Sequence, residues 1–170
     1  MGSDSCDMTD HRSTAEKPPL STIYTMGTST RSLREFMEML DAHTILRVVD
    51  VRRYPTSRHE HFRKENLEPA LRAKGLEYAF LGHDLGGYRK GGYEAYMDSA
   101  EFNRGIETLI SGAREGKTAL ICAERFPWKC HRRYIGQALE KRGWRVVHLI
   151  ERDRIWMDKR GRGEVRPGVP

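Results

Sequence analysis

The chain has 170 residues and a formal net charge of +6, with 38% hydrophobic and 32% charged residues. This length fits one domain with a buried core and two loose ends. No apolar run approaches the roughly 20 residues that a membrane span needs, so the composition excludes a membrane-spanning protein and favours a soluble one, while the positive charge favours an anionic partner.

The two ends of the sequence contrast with its middle. Residues 1–20 and 152–170 are polar and charged without hydrophobic periodicity, and we interpret them as a flexible N-terminal tail and a flexible basic C-terminal tail. The start also lacks the basic patch and apolar segment of a signal peptide, which predicts a cytoplasmic protein. The three cysteines, Cys6, Cys122 and Cys130, are an odd number, which favours reduced thiols over a disulfide framework.

Between the tails, residues 21–151 alternate between short apolar runs and amphipathic runs. In chain order they predict a strand at 21–27, a helix from Ser32, a strand at 45–52, a helix from Asn66, a strand at 76–81, a helix from Ser99, a strand at 117–123, a helix from Cys130 and a strand at 145–150. Such alternation is typical of parallel strands joined by helices. The sequence therefore predicts one α/β domain, a three-layer sandwich with a mostly parallel five-stranded sheet and helices on both faces.

The unusual polar residues fall where the predicted strands end. In an open parallel sheet, ligands bind beyond the carboxyl ends of the strands, and the loops that follow four of these strands meet at that edge. The sequence therefore predicts one cleft there. Its predicted members are Asp50, Arg52, Ser57, Arg58, Glu124, Cys130, His131 and Arg132.

Part of this set is suited to hold an anion. The guanidinium groups of Arg52, Arg58 and Arg132 match phosphate geometry, and the hydroxyl of Ser57 can donate to a phosphate or shape its own turn. Gly86 and Gly87 permit positive φ and close approach of the backbone to a ligand, although a plain turn explains them equally. We predict all six as substrate or phosphate-binding residues.

The predicted catalytic residues are Asp50, Glu124, Cys130 and His131. A carboxylate at the end of an apolar strand can serve as general acid or base, but burial would require a partner for Asp50, such as Arg52. Cys130 and His131 stand at a predicted helix start, where free amides favour an anion or a thiolate. Cys122 lies inside its strand and is interpreted as a core residue.

A zinc site is an alternative use of the same cysteines. It would recruit Cys122, Cys130 and His131, with His83 or His148 as a further ligand. The spacing C-x7-C-H matches no standard structural zinc pattern. The sequence therefore predicts no metal ligand, and the cofactor stays unassigned.

Several motifs resemble one known family. The segments GTSTRSLREF, DVRRYPTSR, LGG, CAERFPWKCHRR and VVHL are similar to the domain of unknown function 488 (DUF488) family over roughly residues 22–151. The similarity includes a D-V-R-x-x-P-x-S segment from Asp50 to Ser57, followed by LGG, C-A-E and C-H-R. One departure is Thr28, where the family more often has a histidine. The resemblance implies an α/β fold and leaves the activity open.

These residues favour an enzyme that acts on a phosphate-bearing substrate, a nucleotide or a nucleic acid. Carboxylates among the basic residues distinguish this hypothesis from a non-catalytic nucleic-acid binding module, in which Tyr88, Tyr93 or Trp128 would stack on bases. A Cys130-dependent sulfur or acyl transferase and a metal-bound site are further alternatives. No membrane partner is predicted, and the pattern indicates no oligomeric state.

Overall fold

The computed structural model describes residues 21–159 and 162–167, with side chains up to residue 158. The predicted N-terminal tail lies outside these residues. The described residues form seven strands: β1 (Thr22–Gly27), β2 (Arg47–Asp50), β3 (Glu77–Phe80), β4 (Thr118–Cys122), β5 (Arg145–Glu151), β6 (Arg154–Lys159) and β7 (Arg162–Pro167). They lie in one sheet, in the order β3-β2-β4-β1-β5-β6-β7.

The helices of the described chain connect these strands. They are α1 (Leu33–Ala42), α2 (Lys64–Ala73), α3 (Gly82–Leu85), α4 (Tyr93–Tyr96), α5 (Ala100–Glu115) and α6 (Arg132–Glu140), with 3-10 turns at Glu60–Phe62 and Pro127–Lys129. Ser32 and Ser99 begin α1 and α5 as N-caps, because each side chain accepts a hydrogen bond from the amide three residues later. No described helix is long and apolar enough to cross a membrane.

The sheet separates two hydrophobic cores. Along β4, Ala119 and Ile121 join the core formed with α1 and α2, whereas Leu120 and Cys122 join the core formed with α5 and α6. Successive residues of a strand point to opposite faces, so a strand that is buried along its whole length has helices on both sides. The predicted three-layer α/β sandwich is confirmed.

The five predicted strands pair in parallel throughout, but the sheet does not end with them. Residues 154–159 and 162–167 were expected to belong to a flexible tail; they form β6 and β7, which add to the β5 edge in antiparallel pairing. The physical reason is the apolar trio Ile155, Trp156 and Met157 within a charged segment. Trp156 is buried against His148, with ring centroids 4.9 Å apart, while Ile155 and Met157 pack on the α1–α2 core.

Helix α6 contacts β6 through a carboxylate that is nearly buried. Asp158 Oδ2 accepts a hydrogen bond from Gln137 Nε2 at 3.4 Å and lies 3.7 Å from Arg133 Nε. Partial burial, with a smaller effect of the Asp158 charge, raises the pKa of the nearby Glu140 to about 7. A carboxylate of α6 near this contact therefore titrates near neutral pH.

Substituting Glu140 with glutamine is expected to stabilise the protein at pH 8 and to have little effect at pH 5. Folding raises this pKa above the unfolded value of about 4.3, so the folded state binds more protons and its stability falls as pH rises from about 4.3 through 7. After allowance for solvent screening of this partly exposed group, we expect the substitution to raise the free energy of unfolding at pH 8 by about 1 kcal/mol. The variant should then melt roughly 2–4 °C above the wild type at pH 8 and at nearly the same temperature at pH 5. Glu101→Gln on α5 is the control, and no gain at pH 8 is expected for it because Glu101 is exposed.

Candidate active site

A cleft of 910 Å³ opens at the carboxyl ends of the parallel strands. Its walls come from the loop after β2, the loop after β3 together with α4, the loop after β4, and the first turn of α6. Five of the predicted site residues line it. They are Arg52, Gly87, Glu124, Cys130 and His131.

The floor of the cleft holds two thiols and an imidazole. Cys122 ends β4 and Cys130 precedes α6, and both are buried. His131 Nδ1 lies 3.7 Å from the Cys130 sulfur and 3.9 Å from the Cys122 sulfur. The two sulfur atoms and this nitrogen all lie within 4.8 Å of one another. Cys122, interpreted from the sequence as a core residue, is therefore also a member of the site.

The orientation of the His131 ring is fixed by contacts with Val51 and Tyr93. Its Nε2 lies 3.0 Å from the carbonyl oxygen of Val51, and since a carbonyl only accepts, Nε2 carries the hydrogen. The ring also packs on Tyr93, with centroids 5.3 Å apart. In the neutral imidazole, the lone pair is then on Nδ1, the atom that lies beside the two sulfurs.

Arg132 lies beneath this cluster and is fully buried, so it does not line the cleft. Its backbone N–H and Nε approach the Cys130 sulfur at 3.5 and 3.4 Å. The other two guanidinium nitrogens donate to Thr25 Oγ1 and to the carbonyls of Glu124 and Arg125. No carboxylate of the described residues contacts it. The predicted phosphate ligand is thus a positioning residue for Cys130 and for the loop after β4.

The two cysteines differ in acidity because they face each other. A hydrogen bond from the Cys122 thiol lowers the pKa of Cys130, and His131 and Arg132 act in the same direction. The same contact, together with burial, raises the pKa of Cys122. The contact therefore favours the thiolate on Cys130 over the thiolate on Cys122.

A polar pair behind the site was missed from the sequence. Thr25 Oγ1 accepts from Arg132 at 3.1 Å and is hydrogen-bonded to His148 Nδ1 at 2.7 Å. Burial, with a smaller effect of the Arg132 charge, lowers the pKa of His148 and so favours its neutral form. The signal was present in the sequence, because Thr25 and His148 interrupt two apolar strands that pair in register.

Asp50 and Arg52 form a buried ion pair. Both oxygens of Asp50 are occupied, by Arg52 at 2.5–3.2 Å and by the hydroxyl of Tyr78 at 2.8 Å. Arg52 also donates to the carbonyl of Phe62. This arrangement ties β2, β3 and the following 3-10 turn together. It leaves Asp50 no free oxygen for acid–base chemistry and makes Arg52 a structural partner of a buried carboxylate.

Three further predicted residues, Ser57, Arg58 and Gly86, lie outside the cleft. Ser57 shapes its own turn, because its hydroxyl accepts from the amide of His59, and Arg58 is exposed. Gly86 has a φ of −68°; its role is close packing, since a Cβ there would collide with the carbonyl of Gly82. Gly87 does border the site, because a Cβ at this position would lie 3.0 Å from His131 Nδ1.

The loop after β1 supports the site without lining it. The amides of Thr28 and Ser29 donate to the carbonyls of Cys122 and Ala123 at 2.8 and 2.9 Å, and Thr28 is buried. These bonds continue the β1–β4 pairing beyond the strands. They hold the segment that carries Cys122 and Glu124 in place.

The mouth of the cleft is aromatic and cationic. Four large hydrophobic side chains are exposed among the described residues, and three of them line this cleft: Tyr54 at 65%, Tyr88 at 89% and Trp128 at 38%. The basic side chains around them are Arg53, Arg89, Lys129 and Arg133. Glu124 is the only carboxylate among the described lining residues. The lining thus combines flat apolar surfaces with excess positive charge.

Comparison with known proteins gives a family and no function. The sequence model of Domain of unknown function DUF488 matches residues 32–139, which is more than half of the chain, so the protein belongs to this family. No curated protein and no solved structure matched.

Proposed function

We propose that this DUF488 member is an enzyme that acts on a phosphate-bearing substrate, a nucleotide or a nucleic-acid strand, bound in the cleft at the strand ends. The observation that carries the proposal is the position of the exposed aromatic residues. Tyr54, Tyr88 and Trp128 lie together around a cleft with excess cations. Exposed aromatic surface is unfavourable in water, and a cluster of it marks a binding site. Nucleobases stack on such rings.

The cations of the lining suit the phosphate part of the substrate. Neither Lys129 nor Arg53 makes an ion pair with any described residue, and the Arg53 guanidinium lies 5.9 Å from the centroid of the Tyr54 ring. Side chains that are not neutralised within the protein are available to an anion. Because they surround the aromatic side chains, one ligand with a base and a phosphate can engage both.

The floor of the cleft favours an enzyme over a binding module. A module that only holds a strand needs aromatic and basic residues, whereas this cleft also contains a thiol–imidazole cluster and one carboxylate. Glu124 is exposed and lines the cleft, and its carboxylate has no hydrogen bond to the described residues. With Asp50 occupied by Arg52 and Tyr78, we assign the general acid–base role to Glu124 alone, with Cys130 and His131 at the reacting centre.

A non-catalytic nucleic-acid binding module remains the alternative, supported by the same aromatic mouth. The two hypotheses share the binding prediction and differ in turnover. Substrate binding is therefore tested first, with substitutions of the aromatic residues at the mouth of the cleft.

Tyr88→Ala and Trp128→Ala are each expected to weaken binding of a short single-stranded oligonucleotide. Loss of one stacked base costs about 1–3 kcal/mol, which is roughly five- to 150-fold in Kd. Fluorescence anisotropy with a labelled oligonucleotide measures this loss. Leu46→Ala is the matched control, because Leu46 is exposed but lies outside the cleft. Equal affinities for all three variants and the wild type would refute the proposed binding site.

A further inference from the structure

The geometry points to a zinc site formed by Cys122, Cys130 and His131, with a fourth coordination position open to the cleft. The three protein ligands are inferred from the distances between their own atoms. That the fourth position serves water or substrate during turnover rests on the proposed function.

The distances between the ligand atoms fit a tetrahedral ion. Zinc binds thiolate sulfur at about 2.3 Å and imidazole nitrogen at about 2.0–2.1 Å, so at tetrahedral angles sulfur and nitrogen ligands are separated by about 3.6 Å. His131 Nδ1 lies 3.7 and 3.9 Å from the two sulfurs, and all three atoms lie within 4.8 Å of one another. An ion can therefore be bound with only small side-chain movements.

The surroundings of the ligands are those of a metal-binding histidine and thiolate. Histidine ligands commonly donate their second ring N–H to a carbonyl, which fixes the tautomer; here His131 Nε2 donates to Val51 and leaves Nδ1 free for the ion. Arg132 donates to the Cys130 sulfur through its backbone N–H and Nε. A zinc-bound thiolate still accepts hydrogen bonds, so these contacts of Arg132 with Cys130 are compatible with the ion.

Three protein ligands are the pattern of catalytic zinc, in which water or substrate occupies the fourth position. The two histidines that the sequence offered as further ligands are elsewhere. His148 Nδ1 contacts Thr25, and His83 packs on Phe80, with centroids 5.1 Å apart. Cys122, Cys130 and His131 all line the cleft, so the open position faces the space where Glu124, two residues after Cys122, also lies.

The spacing of the three ligands in the sequence did not indicate a zinc site. Cys122 is the last residue of β4, and Cys130 and His131 follow a loop that contains the Pro127–Lys129 turn. The C-x7-C-H spacing therefore reflects the path of this loop from the strand end to the helix start. Short-spaced zinc motifs instead place their cysteines on a single turn.

The test is metal content and cobalt spectroscopy on the full chain. Purified protein, reconstituted with zinc and freed of excess ion, should contain about one zinc ion per chain. Cys130→Ser and His131→Gln should each lower zinc affinity by at least about tenfold. Cobalt-loaded wild type should show thiolate-to-cobalt charge-transfer absorption, which Cys130→Ser should reduce. The matched controls, Cys6→Ser and His83→Gln, should bind both metals as the wild type does.

Two further measurements keep the outcomes distinct. Circular dichroism establishes that each variant is folded, and oligonucleotide binding is measured on the same zinc-loaded and chelator-treated samples. Zinc binding that depends on Cys130 and His131, without binding of oligonucleotides or of free nucleotides, would support the metal site and refute the proposed function. Oligonucleotide binding by a folded protein that retains no zinc or cobalt, or equal metal content in wild type and both ligand variants, would overturn the metal site.

Discussion

Substituting Asp50 with asparagine is expected to lower the free energy of unfolding by about 3–5 kcal/mol. The change leaves the Arg52 guanidinium buried without its anion, because Asp50 is its carboxylate partner and Arg52 is only 3% exposed. For a domain of this size the loss corresponds to a decrease of roughly 6–20 °C in melting temperature. Chemical denaturation monitored by circular dichroism gives the free energy directly.

Two variants make this result specific. Glu77→Gln is the matched control, because Glu77 is exposed in its ion pair with Arg47 and exposed pairs contribute about 0–1 kcal/mol. Adding Arg52→Met to Asp50→Asn should restore part of the stability, since no unpaired charge then remains buried. If Asp50→Asn and Glu77→Gln lose equal stability, the buried pair does not have the structural role assigned to it.

Substituting Glu124 with glutamine is expected to slow turnover by about 10²- to 10⁴-fold, the usual contribution of a general acid or base. Substrate affinity should change little, because the aromatic and basic groups of the mouth are retained. The assay incubates nucleotides and short oligonucleotides with the wild type and follows new products by liquid chromatography and mass spectrometry.

Glu94→Gln is the control for this substitution. Glu94 is an exposed glutamate on α4 that does not line the cleft, so its removal should leave turnover unchanged. Turnover by Glu124→Gln at the wild-type rate would exclude Glu124 as the acid–base group. Binding without products from any substrate would favour the nucleic-acid binding module.

The parallel part of the fold could be predicted because its signals are local. In β4 every residue is buried, and such a continuous apolar run between helical patterns indicates a strand covered on both faces. The edge at which the site lies follows from the same alternation. Strands β6 and β7 could not be predicted in this way, because the apolar pattern around Trp156 is short and surrounded by charge.

The pairing of side chains inside the site could not be predicted. The sequence showed Asp50, Arg52 and Arg132 at strand ends and helix starts, but whether an arginine faces a ligand or a buried partner depends on tertiary contacts. Tyr78 donates to Asp50 from the neighbouring strand, and Thr25 of β1 accepts from Arg132 of α6. Both partners come from positions distant in the sequence, and they convert two predicted ligand-binding arginines into structural ones.

A crystal structure of the protein with a short single-stranded oligonucleotide tests the central claim most directly. We expect a base stacked on Tyr88 or Trp128 and a phosphate within hydrogen-bond distance of Lys129 or Arg53. We also expect part of the ligand to contact Cys130 and His131. An oligonucleotide bound at another surface, or a cleft without ligand density at saturating oligonucleotide concentration, would contradict the assignment of this cleft as the active site.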